Sequence, residues 1–180
     1  MAKIKGIQLK SVKDFVGREG YGFSANIYLD NKNVGEVLDT ANGSGEFEFH
    51  YKDKSQTEIL ARLSKEYFKE NPKYMLYFDE KGSERSQNEG YISDMVEELK
   101  LLTFVEKAYK KYTKQGFPIT IFVEFNERNK DIMDSDYNSE EAFVLGAKVW
   151  DDAMKAKLKK DYPLAKIFKT YESLDAFIIA

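Results

Sequence analysis

The 180-residue chain has no cysteine and a single histidine, His50. Without thiols there are no disulfides, no thiolate metal sites and no cysteine nucleophile. One imidazole leaves no HExxH pair and makes a zinc site hard to build. A Ser–His–Asp triad would have to use His50, and no GxSxG elbow accompanies it. Long apolar runs are missing too. No segment approaches the roughly 20 apolar residues of a membrane span, and the basic start MAKIKGIQLK lacks the apolar stretch of a signal peptide. Positive charge is not in excess: 28 Lys and Arg stand against 31 Asp and Glu, a formal net charge of -3. That balance argues against a surface that binds polyanions all over. The expectation is a cytoplasmic protein without a membrane association.

What remains is a globular composition, 42% apolar and 33% charged, enough for one well-buried core. Aromatic residues reach 14%, and twelve tyrosines are more than a core usually hides, which leaves some for a binding surface. The reading is a single α+β domain over residues 1–180, with 1–52 and 53–180 as candidate sub-lobes.

The amino-terminal third reads as an antiparallel β-meander. Residues 3–15 carry a half-buried strand pattern with an irregularity near Ser11. Tyr21, Phe23, Ala25, Ile27 and Leu29 alternate with Ser24, Asn26 and Tyr28. Asp30-Asn31-Lys32-Asn33 is hairpin chemistry, since Asn and Asp tolerate left-handed backbone. Val34, Val37 and Leu38 continue the sheet into the loop Ala41-Asn42-Gly43-Ser44-Gly45. Two or three helices follow. The first is capped by Asp53 or Ser55, striped by Ile59, Leu60, Leu63, Tyr67 and Phe68, and ended by Asn71-Pro72. Residues 79–90 read as a polar loop, and the longest helix opens near Ser93 and stops before Gly116 and Pro118. The apolar run 118–125 predicts a central strand, 143–149 a further strand, 151–160 a lysine-rich helix, and Ile167-Phe168 a last short strand.

Chemistry concentrates after the glycine loop. In a strand over 46–51, alternation projects Glu46, Glu48 and His50 to one side and Phe47, Phe49 and Tyr51 to the other. Two carboxylates and an imidazole can serve acid–base catalysis, or hold a divalent cation, with Asp39 converging on the same place. The competing explanation is the wet face of an amphipathic strand, which alternation alone produces. The acidic stretch with Asp131, Asp134, Asp136, Glu140 and Glu141 can imitate a phosphate backbone and dock on a basic protein partner; charge runs are more often solvated loops. Glu124 with Asp131 and Asp134 is a weaker nuclease-like grouping. The ANGSG loop lacks the spacing of a nucleotide-binding motif.

The segment GREGYGFSANIYLDNKNVGEVLDTANGSGEFEFHY resembles the amino-terminal region of small proteins carried by phages and plasmids of low-GC Gram-positive bacteria. The likeness extends to type II anti-CRISPR proteins that disable Cas9 by provoking truncation of its guide RNA. The resemblance implies a counter-defence protein whose partner is the Cas9–guide RNA complex, and a metal-dependent or Cas9-dependent ribonuclease activity. It transfers no site residues. A non-enzymatic module that blocks a host protein by acidic surface mimicry, and a phage or plasmid accessory protein, are the alternatives.

Overall fold

The computed structural model describes residues 1–42, 47–72, 80–125, 142–163 and 165–180. Among the described residues the architecture is α+β: an amino-terminal sheet, three helices and further strands in the carboxy-terminal half. The chain forms two compact units, Met1–Thr103 with Phe177–Ala180, and Phe104–Ala176. The first helix therefore falls in the same unit as the amino-terminal sheet.

In the first unit, strands β1 (Lys3–Ile4), β2 (Ile7–Val16), β3 (Tyr21–Leu29), β4 (Lys32–Asp39), β5 (Phe47–Tyr51) and β9 (Ile178–Ile179) form a sheet in the order β5-β4-β3-β2-β1-β9. The β1–β2, β2–β3, β3–β4 and β4–β5 pairs are antiparallel; β9 runs parallel to β1. The pattern over 3–15 hides a turn. Lys5 and Gly6 both have positive φ, so the chain reverses there and Ile4 pairs with Ile7. Left-handed backbone costs glycine little, which is what lets two residues close that reversal. At Ser11 (φ 55) the β2–β3 register shifts, a bulge at the expected place. Asp30 and Asn31 (φ 45 and 68) make the tight β3–β4 turn.

One face of this sheet is apolar. Ile7, Leu9, Phe23, Ala25, Ile27 and Val37 are buried there, and the Phe47, Phe49 and Tyr51 rings continue the face along β5. Phe23 meets Phe47 edge-on at 5.6 Å between centroids, and Phe49 stacks on Tyr51 at 5.7 Å. Helix α1 (Ser55–Glu70) buries Leu60, Ala61, Tyr67 and Phe68. Asp53 Oδ1 accepts from the Ser55 N–H at its start, and the helix ends before Asn71-Pro72 as the sequence predicts.

Helix α2 (Glu84–Lys114) begins well before Ser93. Residues 84–90 are thus helical rather than loop. Ser83 Oγ accepts from the Ser86 N–H and caps the helix, a signal masked by the polar character of its first turns. Its segment in the first unit buries Ile92, Met95, Val96, Leu99 and Leu102, and Lys100 Nζ lies 4.1 Å from the Phe23 ring centroid.

In the second unit, β6 (Ile119–Phe125) lies between β7 (Ala142–Ala147) and β8 (Ala165–Tyr171), antiparallel to both. Ile121 and Val123 pack with Leu158 of helix α3 (Asp152–Asp161) on one face. On the other, Thr120 and Phe122 are buried, and Tyr112 of α2 donates from its hydroxyl to the Val144 carbonyl at 3.0 Å. Cover on both faces is why the β6 sequence reads as a continuous apolar run. Asp151 caps α3, accepting from the Met154 N–H at 2.8 Å. A short 3-10 turn, Leu174–Phe177, then leads into β9, so the terminal residues return to the first sheet. Among the described residues, no helix is long and apolar enough to cross a membrane.

Candidate functional site

The second face of the β5-β4-β3-β2 sheet is the polar one, and its membership follows from register. Glu36 of β4 pairs directly with His50 of β5, and Leu38 with Glu48. On β3, Asn26 pairs with Glu36 and Ser24 with Leu38; on β2, Lys10 pairs with Asn26 and Lys13 with Ser24. Directly paired residues point to the same side of a sheet. The four strands therefore present Lys10, Lys13, Ser24, Asn26, Glu36, Leu38, Glu48 and His50 together. The bulge at Ser11 brings that residue to the same surface, where it lines the groove described next.

This face is concave. An open groove of about 410 Å³ is lined by Ser11, Lys13, Ser24, Asn26, Glu36 and His50, with Ala25, Val37 and Leu38 contributing to its walls. Lys13, Glu36, Glu48 and His50 are exposed, while Ser24 and Asn26 are half-buried. Hydroxyl, amide, ammonium, carboxylate and imidazole groups thus meet in one depression open to solvent. Aromatic rings stand on the same face. Tyr28 carries Lys10 Nζ 4.1 Å from its ring centroid. Phe15 pairs with Gly22, and a Cβ at Gly22 would come within 2.9 Å of Phe15 Cε2 and would collide with the Asp39 carbonyl oxygen. Glycine is required there because its bare backbone is what the neighbours lie against.

The residues singled out from the sequence separate into three groups. Glu48 and His50 share the polar face and are exposed, as alternation predicts. Asp39 does not join them. It pairs with Phe23 on one side and Phe47 on the other, which places it on the apolar face, and its Oδ1 accepts from the Ala41 N–H at 2.9 Å. Its carboxylate holds the turn after β4, where Ala41 has a φ of 51. Glu46 and the acidic set Asp131, Asp134, Asp136, Glu140 and Glu141 lie outside the described residues, as does the side chain of Glu124. Among the described residues, no three His, Asp or Glu side chains are grouped to hold a metal ion.

Sequence reasoning missed Glu36 and Lys13. Glu36 sits between the apolar positions Val34 and Val37, which drew attention as strand residues. Its partnership with His50 depends on the β4–β5 register, which follows a glycine-rich loop and cannot be counted from residue spacing. Lys13 reaches the face only because the bulge shifts β2 by one residue.

Nearby ionisation is set by burial and local hydrogen bonds. Tyr51, on the apolar face of β5, has its phenol pushed above the ordinary tyrosine range, first by burial and then by the Glu89 carboxylate. Its hydroxyl is buried without a protein partner among the described residues.

Fold and site together define an α+β protein with an open, mixed-charge groove on the exposed face of an antiparallel sheet. No protein-family model, curated protein or solved structure matches the chain.

Proposed function

We propose that this protein is a counter-defence inhibitor of a type II Cas9 ribonucleoprotein that engages the guide RNA through the polar face of strands β2–β5. The observation that carries the reading is the groove itself, with Lys13, Ser24, Asn26 and His50 around it and the Phe15 and Tyr28 rings on the same face. Proteins take single-stranded RNA on sheet faces by stacking bases on rings, hydrogen-bonding base edges with amides and hydroxyls, and meeting phosphates with lysine. Every one of those groups is present on this face. The likeness of residues 17–51 to phage and plasmid inhibitors supports the same reading, because those residues build β3, β4, β5 and the tip that precedes them. Truncation of the guide is the form of inhibition the likeness implies.

The deciding experiment mixes the protein with an assembled Cas9–guide complex, then measures target-DNA cleavage and runs the guide on a denaturing gel. Loss of DNA cleavage together with a shortened guide is expected. Undiminished DNA cleavage with a full-length guide contradicts the reading.

A second reading is a non-enzymatic module that blocks a host protein. It is favoured by the β2–β3 hairpin tip, where Val16 and Tyr21 pair and are 74% and 75% exposed. Exposed aromatic anchors of this kind are common at the centres of protein interfaces. This reading expects inhibition without guide shortening, and indifference to His50→Ala or Glu48→Gln.

A further inference from the structure

We infer that the Glu36–His50 pair is a metal-independent ribonuclease centre that cleaves RNA through the ribose 2′-hydroxyl. The inference rests on the RNA-engaging reading above and adds the reaction and its residues.

Phosphodiester transfer to a neighbouring hydroxyl needs a base, an acid and a cation near the phosphate. The sheet supplies all three in one groove. Glu36 and His50 are direct partners across the β4–β5 pair, and such pairs hold their Cβ atoms about 4.5–5.5 Å apart. That separation lets two side chains act on opposite ends of one phosphodiester. Both side chains are exposed, so a nucleic-acid strand can reach them. Lys13 lines the same groove from β2, in register with Leu38 across Ser24 and so two strands over and two residues along from Glu36, a backbone separation of roughly 12 Å at the usual strand spacing and rise. A lysine side chain extends over about half of that distance, so its ammonium can meet a non-bridging oxygen of a phosphate that leans from the β4–β5 pair over β3. Ser24 and Asn26, on the strand between, offer hydrogen bonds to the sugar or base.

The step balances without a metal or redox partner. The Glu36 carboxylate accepts the proton of the 2′-hydroxyl, and O2′ forms a bond to phosphorus. The P–O5′ bond breaks, and the His50 imidazolium gives its proton to the departing 5′ oxygen. Lys13 stabilises the negative charge that builds on the non-bridging oxygens. The products are a 2′,3′-cyclic phosphate and a 5′-hydroxyl, and water then returns Glu36 and His50 to their starting protonation. The charged groups facing His50 are Glu36 from β4 and Glu48 from β5, with Lys13 and Lys10 farther off on β2. Glu36 and His50 are partners within a β4–β5 register that runs from Gly35 opposite Tyr51 to Asp39 opposite Phe47.

The test uses the full chain with an assembled Cas9–guide complex in EDTA. Guide shortening is expected to persist, the downstream fragment to accept a kinase label without prior phosphatase treatment, and a 2′-deoxy nucleotide at the cut position to block the cut. Glu36→Gln and His50→Ala should each slow shortening by about 10²–10⁴-fold, as loss of a general acid or base does. Wild type should show a bell-shaped pH–rate profile, and Glu36→Gln should flatten its acidic limb. Both positions are exposed, and circular dichroism checks that the variants remain folded. Shortening that requires a divalent cation, leaves a 5′-phosphate, or runs at the wild-type rate in both variants overturns this chemistry. Inhibition with an intact guide also overturns it but leaves the binding reading standing, whereas absence of inhibition and of guide binding removes both.

Discussion

At the scale of single residues, Tyr51 shows how one polar atom can work against the fold that holds it. Its hydroxyl is buried without a protein partner among the described residues, and burial favours the neutral phenol. A phenol whose folded pKa is raised contributes stability below its unfolded value of about 10, and that contribution is lost as the pH climbs above it. Tyr51→Phe should therefore leave neutral-pH stability unchanged or raise it by about 1 kcal/mol, and should remove part of the alkaline decline in urea melts between pH 9 and 11, roughly the range where tyrosines ionise. An unchanged alkaline decline would show that Tyr51 is not its source. Asp53 carries the opposite sign. Its carboxyl lies below the usual carboxylate range because it accepts hydrogen bonds from Ser55, the backbone N–H first. Its contribution is present above the ordinary carboxylate pKa and fades as pH falls through the lowered one. Asp53→Asn should shallow the acid limb of the stability profile, and a limb of unaltered slope would argue against a role for this hydrogen bond.

At the scale of elements, alternation made much of the first sheet legible. Positions 21–29 and 47–51 separate into apolar and polar faces in the structure as they do in the sequence, and Asp30-Asn31 turns the chain where its chemistry predicts. Periodicity fails where a strand pattern runs through a reversal. The Lys5–Gly6 turn splits 3–15 into two strands although the apolar spacing continues across it. Periodicity also fails where a helix starts on polar residues. The first turns of α2 offer no apolar stripe over ERSQNEG, so only the Ser83 cap marks its start. Of the candidate site, Glu48 and His50 were readable from alternation, whereas Glu36 and Lys13 depend on pairing register and a bulge. Two mutations probe the elements. Leu99 of α2 is fully buried, and Leu99→Ala should cost about 2–5 kcal/mol in a denaturant melt. Ser83→Ala should cost about 1 kcal/mol, the typical worth of a helix cap. A Leu99→Ala cost under 1 kcal/mol would place that side chain outside the packed core.

At the scale of the molecule, each unit keeps its own apolar core, and the chain threads both. The first sheet gathers residues from both ends of the chain, because β9 pairs with β1 and Phe177 is fully buried in the same unit. Phe177→Ala should destabilise that unit by about 3–5 kcal/mol although only three residues follow it in the sequence. Near-native stability of that variant would show that the terminal strand adds little. The second unit covers its central strand on both sides, while among the described residues the first presents a sheet face to solvent over β2–β5. An open face with rings, amides, lysines and an imidazole is where the functional account places contact with the guide. The most direct measurement compares inhibition of Cas9 DNA cleavage by wild type, by Lys13→Glu with His50→Ala on that face, and by Tyr21→Ala on the hairpin tip. The account predicts at least roughly tenfold weaker inhibition from the double variant, as a loss of about 1.4 kcal/mol or more of binding would give, and little change from the tip variant. Full inhibition by the double variant, with loss in Tyr21→Ala, would contradict it.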